Sequence, residues 1–181
     1  RKLKYHEQKL LKKVNFYDWK DNNRKEVQVM KRCGIKDRED YTKYNKLAGL
    51  VTKLVAQLRK LPADDADRIK MTEIMLDKLY SMSIIQNKQS LEDCVNLSAM
   101  KFCRRRFAVV LVYNKYCQNI KQAVTWVQQG HFRIGPDIVS NPAVHITREM
   151  EDHITWAEGS KIKRHIKTFN EEADDFDLLG N

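Results

Sequence analysis

One short stretch constrains the fold more than any other, because its apolar period changes across a single glycine. Ile120, Ala123, Val124 and Val127 recur at i, i+3, i+4 and i+7, the stripe of an amphipathic helix. Beyond Gly130, Phe132 and Ile134 alternate with His131 and Arg133, the period of a strand. A helix therefore feeds a strand here, with Gly130 at the position where helices end in a left-handed residue. Upstream, Asn119 with Gln122 three residues on forms a capping-box pattern, and YCQN, residues 116–119, turns the chain. Arg104 to Asn114 reads as one helix on which Phe107, Val110, Leu111 and Cys103 share a face. Downstream, Gly135-Pro136-Asp137 is a turn. Short strands are expected at Ile138-Val139, at Ala143–Ile146 and at His153–Trp156. Residues 102–157 thus read as a helix–turn–helix followed by a small antiparallel sheet.

The preceding half is helical. Leu47, Leu50, Val51, Leu54, Val55, Leu58 and Leu61 recur at three- and four-residue steps over 43–61, and Pro62 ends that helix. The acidic DDAD at 64–67 suits the start of a second helix, where carboxylates meet the positive end of the dipole. Ile69, Ile74, Met75, Leu79 and Met82 carry it to about residue 82. A polar connection with a short structured piece follows over 87–99. The fold class is therefore α+β, a helical N-terminal half followed by the helix–turn–helix and sheet. Residues 1–40 read as a basic extension, because Leu10, Leu11, Val14, Phe16 and Trp19 are too sparse a stripe to fold alone.

Charge narrows the partners. With 34 Lys and Arg against 24 Asp and Glu, the net charge is +10, which predicts an anionic partner, nucleic acid or a membrane surface. The distribution says more than the sum. Residues 1–60 hold 18 basic and 7 acidic side chains, and residues 94–136 hold no acidic residue at all. That window carries Lys101, Arg104, Arg105, Arg106, Lys115, Lys121 and Arg133. Surfaces normally interleave both signs to limit self-repulsion, so a window of one sign reads as a footprint for a polyanion. The tail, 161–181, runs from basic KIKRHIK to acidic EEADDFD.

Other chemistries find little support. Cys33, Cys94, Cys103 and Cys117 form no CxxC pair, and their spacing fits no zinc site, so free thiols in a reducing compartment are expected. The five histidines make no HExxH or similar ligand pair, and neither metal nor other cofactor is expected. There is no nucleophile elbow, P-loop or evident pair of cleft carboxylates, so an enzyme is not expected. FAVVLVY, residues 107–113, is too short to span a bilayer. The N-terminal RKLKYHEQKLLKK lacks the apolar core of a signal peptide. The missing initiator Met predicts that a residue or two precede Arg1.

The ordered set RRRFAVVLVYNKYCQNIKQAVTWVQQGHFRIGPDIVSNPAVHI, closing on DHITW, resembles the RNA-binding domain of small-subunit ribosomal protein S-four and its eukaryotic counterpart. The shared features are the arginines opening the first helix, the helix–turn–helix, the GH-x-R-[IV]-G strand entry and the NPAVHI strand. One departure is Gly135-Pro136-Asp137, where the family often carries Asn-Gly-Lys. GIKDREDYTKYNKL and MLDKLYSM resemble the helical part of the eukaryotic ribosomal protein. The first twenty residues, RKLKYHEQKLLKKVNFYDWK, resemble instead a family of proteins of the U3 small nucleolar ribonucleoprotein. That resemblance implies a nucleolar ribosome-assembly factor that helps U3 small nucleolar RNA pair with pre-rRNA beside the scaffold protein Mpp10. The alternative is a structural ribosomal protein of the small subunit. The division expected is an extension over 1–40, a helical region over 41–101, an S-four-type RNA-binding domain over 102–160 and a tail over 161–181.

Expected RNA contacts follow. Arg104, Arg105 and Arg106 point about 100° apart on a helix, so they would fan over successive phosphates at its N-terminus; the alternative is that one of the three pairs with a carboxylate from the N-terminal part. Lys115 in the turn and Lys121 on the next helix would extend the track, and His131 and Arg133 would close its far edge, with a structural hydrogen-bonding role the alternative for His131. Phe132 and Trp126 read as core. In the extension, Lys9, Lys12, Lys13, Phe16 and Trp19 are expected to contact RNA or a protein partner.

Overall fold

The computed structural model describes residues 1–13 and 24–170. Their elements run α1 (Tyr5–Lys13), α2 (Arg24–Cys33), α3 (Arg38–Leu58), α4 (Ala66–Ser81), α5 (Glu92–Val95), α6 (Ala99–Arg104), α7 (Phe107–Tyr113), α8 (Ile120–Gln128), β1 (Phe132–Ile134), β2 (Asp137–Ile138), α9 (Arg148–Asp152), β3 (Ile154–Trp156) and α10 (Lys161–Phe169). The sheet is antiparallel in the order β2-β1-β3, with Arg133 opposite Ile138 on one side and Thr155 on the other.

The α+β reading and the change of period at Gly130 match the structure. Gly130 has φ +74°, its N–H donates to Val127 O, and the next N–H donates to Trp126 O. Those two bonds satisfy carbonyls that the helix end would leave open. Asp65 caps α4 by accepting from Asp67 N. Three expectations change. Asn119 precedes α8 without a side-chain cap bond, and Gln122 instead accepts from Gln118 N. Ala143–Ile146 forms a single bridge, Arg106 to His145, rather than a strand. The stretch expected as one helix from Arg104 to Asn114 is broken between α6 and α7.

Two cores result. Val55, Leu58, Leu76, Leu79, Ile85 and Cys94 centre the helical half. Phe107, Leu111, Val127, Phe132, Ile146 and Ile154 centre the sheet-bearing half. In the latter, Phe132 stacks on Trp156 at 4.5 Å and meets Phe107 edge-on, and Trp126 packs beside them. A smaller cluster joins the halves, where Cys33 at the end of α2 and Ile35 just beyond it meet Cys103 of α6. Gly34 (φ +62°) makes that approach possible, since a Cβ there would lie 2.5 Å from Ile120 Cγ2. Residues 24–35 of the expected extension are therefore docked on the body of the protein.

Candidate nucleic-acid interface

The interface is built around the break between α6 and α7. Arg104 is the last residue of α6, Arg105 follows it as C-cap, and Arg106 is the extended N-cap of α7. A break frees backbone groups, and residues 144–146 take them up. Phe107 N donates to Val144 O at 2.9 Å, and Ile146 N donates to Arg105 O at 2.8 Å. The three arginines consequently leave the backbone in unrelated directions.

Arg105 turns inward to the sheet-bearing half. Its Nε donates to Ile146 O at 3.0 Å and its guanidinium pairs with Glu151 at 2.8 Å. Arg106 turns inward to the helical half and is 6% exposed. It donates to the Tyr44 hydroxyl at 3.2 Å and lies 3.5 Å from the Asp40 carboxylate. The fan of three arginines over one helix terminus is therefore corrected. Arg105 and Arg106 clasp the two halves, and Arg104 alone is exposed. The pairing of one arginine with a carboxylate of the N-terminal part was an open alternative in the sequence, and Asp40 fills it. Tyr44 and Glu151 were missed, because contacts more than forty residues away leave no local signal.

His145 reinforces the same joint, placing Nε2 3.1 Å from Met82 O. Burial holds its imidazole below the ordinary histidine value, with nearby Arg105 pushing the same way and the bond to Met82 opposing. The neutral ring thus donates to the carbonyl.

The other expected contacts divide in two. Lys115 and Lys121 are exposed and form no ion pair among the described residues. Lys115 closes α7 at φ +64° with the bonding Gly130 makes after α8, Lys115 N to Val112 O and Tyr116 N to Leu111 O. A side chain in that conformation costs about 1 kcal/mol relative to glycine. His131 and Arg133 are engaged locally. The His131 ring nitrogens lie 3.0 Å from Ser160 Oγ and 3.2 Å from Gln129 Oε1. Arg133 donates to Thr155 Oγ1 and pairs with Glu158 at 3.1 Å, an exposed pair that a phosphate can displace. Lys9 and Lys12 are exposed on α1, which Lys13 ends. Phe16 and Trp19 lie outside the described residues.

The arrangement offers charge and shape. Cys33, Cys94, Cys103 and Cys117 are free and buried, and burial pushes the Cys117 thiol up to about 11. Burial also raises the Cys94 thiol, and the hydrogen bond between Cys103 and Cys33 raises the former and lowers the latter. A thiol raised in this way is a poor nucleophile. Among the described residues no cluster of His, Cys, Asp and Glu fits a metal, and no helix is long and apolar enough to cross a membrane.

The chain is similar in sequence to known proteins. Residues 2–104 match the family described as ribosomal protein S4/S9 N-terminal domain. The U3 small nucleolar ribonucleoprotein protein IMP3 of Mus musculus is 48% identical over 180 residues, 98% of each chain. That of Saccharomyces cerevisiae is 43% identical over the same length and share. Small ribosomal subunit protein uS4 of Picrophilus torridus is 25% identical over 142 residues, 78% of each chain.

Proposed function

Since the chain belongs to the IMP3 family of U3 small nucleolar ribonucleoprotein proteins, we propose that it is an RNA-binding ribosome-assembly factor of the small-subunit processome. It acts in the nucleolus, binds U3 small nucleolar RNA and helps it base-pair with pre-rRNA for the early cleavages. Mpp10 is its protein partner. The observation that carries the reading is the set of exposed cations Arg104, Lys115 and Lys121, which lie in the stretch 94–136 that has no acidic residue in its sequence. Positive charge held on a rigid scaffold lowers the repulsion between two RNA strands. The role is stoichiometric, and RNA shape rather than base identity is read across this face, because its contacts go to phosphates.

Retention in the mature small subunit as a ribosomal protein is the competing reading. It draws on the match to the ribosomal S4/S9 N-terminal domain, but identity to the uS4 relative is far lower than to the IMP3 relatives. Ultraviolet crosslinking of the tagged protein in cells, with sequencing of attached RNA, separates the two. Reads on U3 RNA and the pre-rRNA it pairs with are expected. Reads confined to mature small-subunit rRNA would overturn the assembly-factor reading.

A further inference from the structure

Beside the arginine break, a groove of about 960 Å³ runs between the two halves of the protein. Ile84, Ile85, Val109 and Val110 supply its apolar part, and Lys101 and Arg104 bring positive charge from α6. Arg148 adds a third cation, laid over the Tyr80 ring at 4.0 Å from its centroid. Two carboxylates also line the space. Glu151 is neutralised by Arg105, and Asp93 is outnumbered by Lys101, Arg104 and Arg148. Gln86 and Asn87 present amides that both donate and accept.

The residue that gives the groove its character is Tyr113. On α7, Phe107, Ala108, Val110 and Leu111 are 2% exposed or less, whereas Tyr113 is 81% exposed and stands at the groove. It makes no hydrogen bond or ring contact among the described residues. A bare ring face beside an apolar wall, with cations and amides at hand, is the chemistry that receives an unstacked base.

We infer that this groove seats an unpaired nucleotide of the bound RNA, its base on Tyr113 and its phosphate on Arg104 and Lys101. The inference rests on the RNA-binding reading above and adds the class of RNA, a single-stranded segment. In an A-form duplex each base face is covered by its neighbours, and Tyr113 has nothing to stack on. The size agrees, since pockets of about 300–1,000 Å³ enclose ligands as large as a nucleotide. The groove also gives the break in the helix a use. Turning Arg105 and Arg106 inward holds the two walls together, and Arg104 is left facing the space between them.

The test uses the full chain with a short fluorescein-labelled oligouridylate and an RNA duplex of the same strand length, by anisotropy over a range of salt. Tyr113→Leu keeps apolar bulk at an exposed position and leaves the thermal melt unchanged. It is expected to weaken oligouridylate binding about tenfold, with duplex affinity and the salt slope unchanged, while Tyr113→Phe binds like the wild type. Arg104→Ala is expected to weaken both probes and lower the salt slope by about 0.7–0.9. Wild-type oligouridylate affinity in Tyr113→Leu, with Arg104→Ala still weakened, would overturn the groove and leave the RNA-binding reading standing. A wild-type chain that binds neither probe would overturn both.

Discussion

The helical half and the sheet-bearing half bury their apolar residues to different degrees. Around Phe132 the sheet-bearing half is sealed, with Phe107, Leu111, Val127 and Ile146 all fully buried. In the helical half, α3 carries two stripes. Ala48, Val55 and Leu58 are buried, whereas Leu47, Leu50 and Leu54 are 46%, 61% and 43% exposed, with Ile69, Met71 and Ile74 exposed on α4. The sealed half is stabilised by its own contacts, and the open half depends more on the joint made by Arg106, His145 and Gly34. A small core closes when a sheet and two helices cover one another, whereas a long helix with a wide apolar arc outruns the elements that can cover it.

That contrast can be tested step by step. The largest effect is expected from Phe132→Ala, which removes a ring from the stacked aromatic cluster and costs about 3–5 kcal/mol in urea unfolding. Arg106→Ala strikes the joint and costs about 2–3 kcal/mol, with unfolding of the halves separating into two transitions. Arg106→Met keeps the packed stem and loses less. A single unchanged transition in Arg106→Ala would mean that the halves are coupled elsewhere. Gly34→Ala adds a Cβ at positive φ and against Ile120, and costs about 1–2 kcal/mol with loosened protection of α2 in hydrogen exchange.

A smaller effect appears only with pH. His145 binds its proton less readily folded than unfolded, so the unfolded chain holds more protons as pH falls. Its contribution is full above about pH 6.5 and drains away below it. His145→Gln, which keeps a donor for Met82 O, is expected to flatten stability against pH in that acid range. The smallest effect sharpens the comparison most. Leu50→Gln on the open stripe is expected to change stability by less than about 0.5 kcal/mol. A loss above about 1 kcal/mol would show that the stripe is covered in solution.

Much of the architecture was legible because it is local. The switch of period at Gly130, the cap at Asp65 and the burial of Phe107, Val110 and Leu111 follow from side chains a turn or two apart. Candidate contacts were legible only as charge. The acid-free window pointed to the helix–turn–helix, but not to which of its cations face outward. Arg105 and Arg106 look alike in sequence to Arg104, and they differ because Glu151, Asp40 and Tyr44 reach them from distant segments. The apolar stripe over 43–61 foretold the helix α3 but not its buried arc, since regularly spaced apolar residues do not say which arc a neighbouring helix will cover.

The sequence by itself determined the α+β class, the two-part order of helices then sheet, and a basic surface around the helix–turn–helix. Periodicity and net charge are sums over near neighbours, so they survive without coordinates. Only the tertiary structure decided that the helix breaks at the arginines, that two of the three are turned inward, and that Tyr113 stands bare beside the third. Those outcomes depend on residues 144–146 pairing with the break, a long-range contact that satisfies backbone groups a continuous helix would have satisfied within itself.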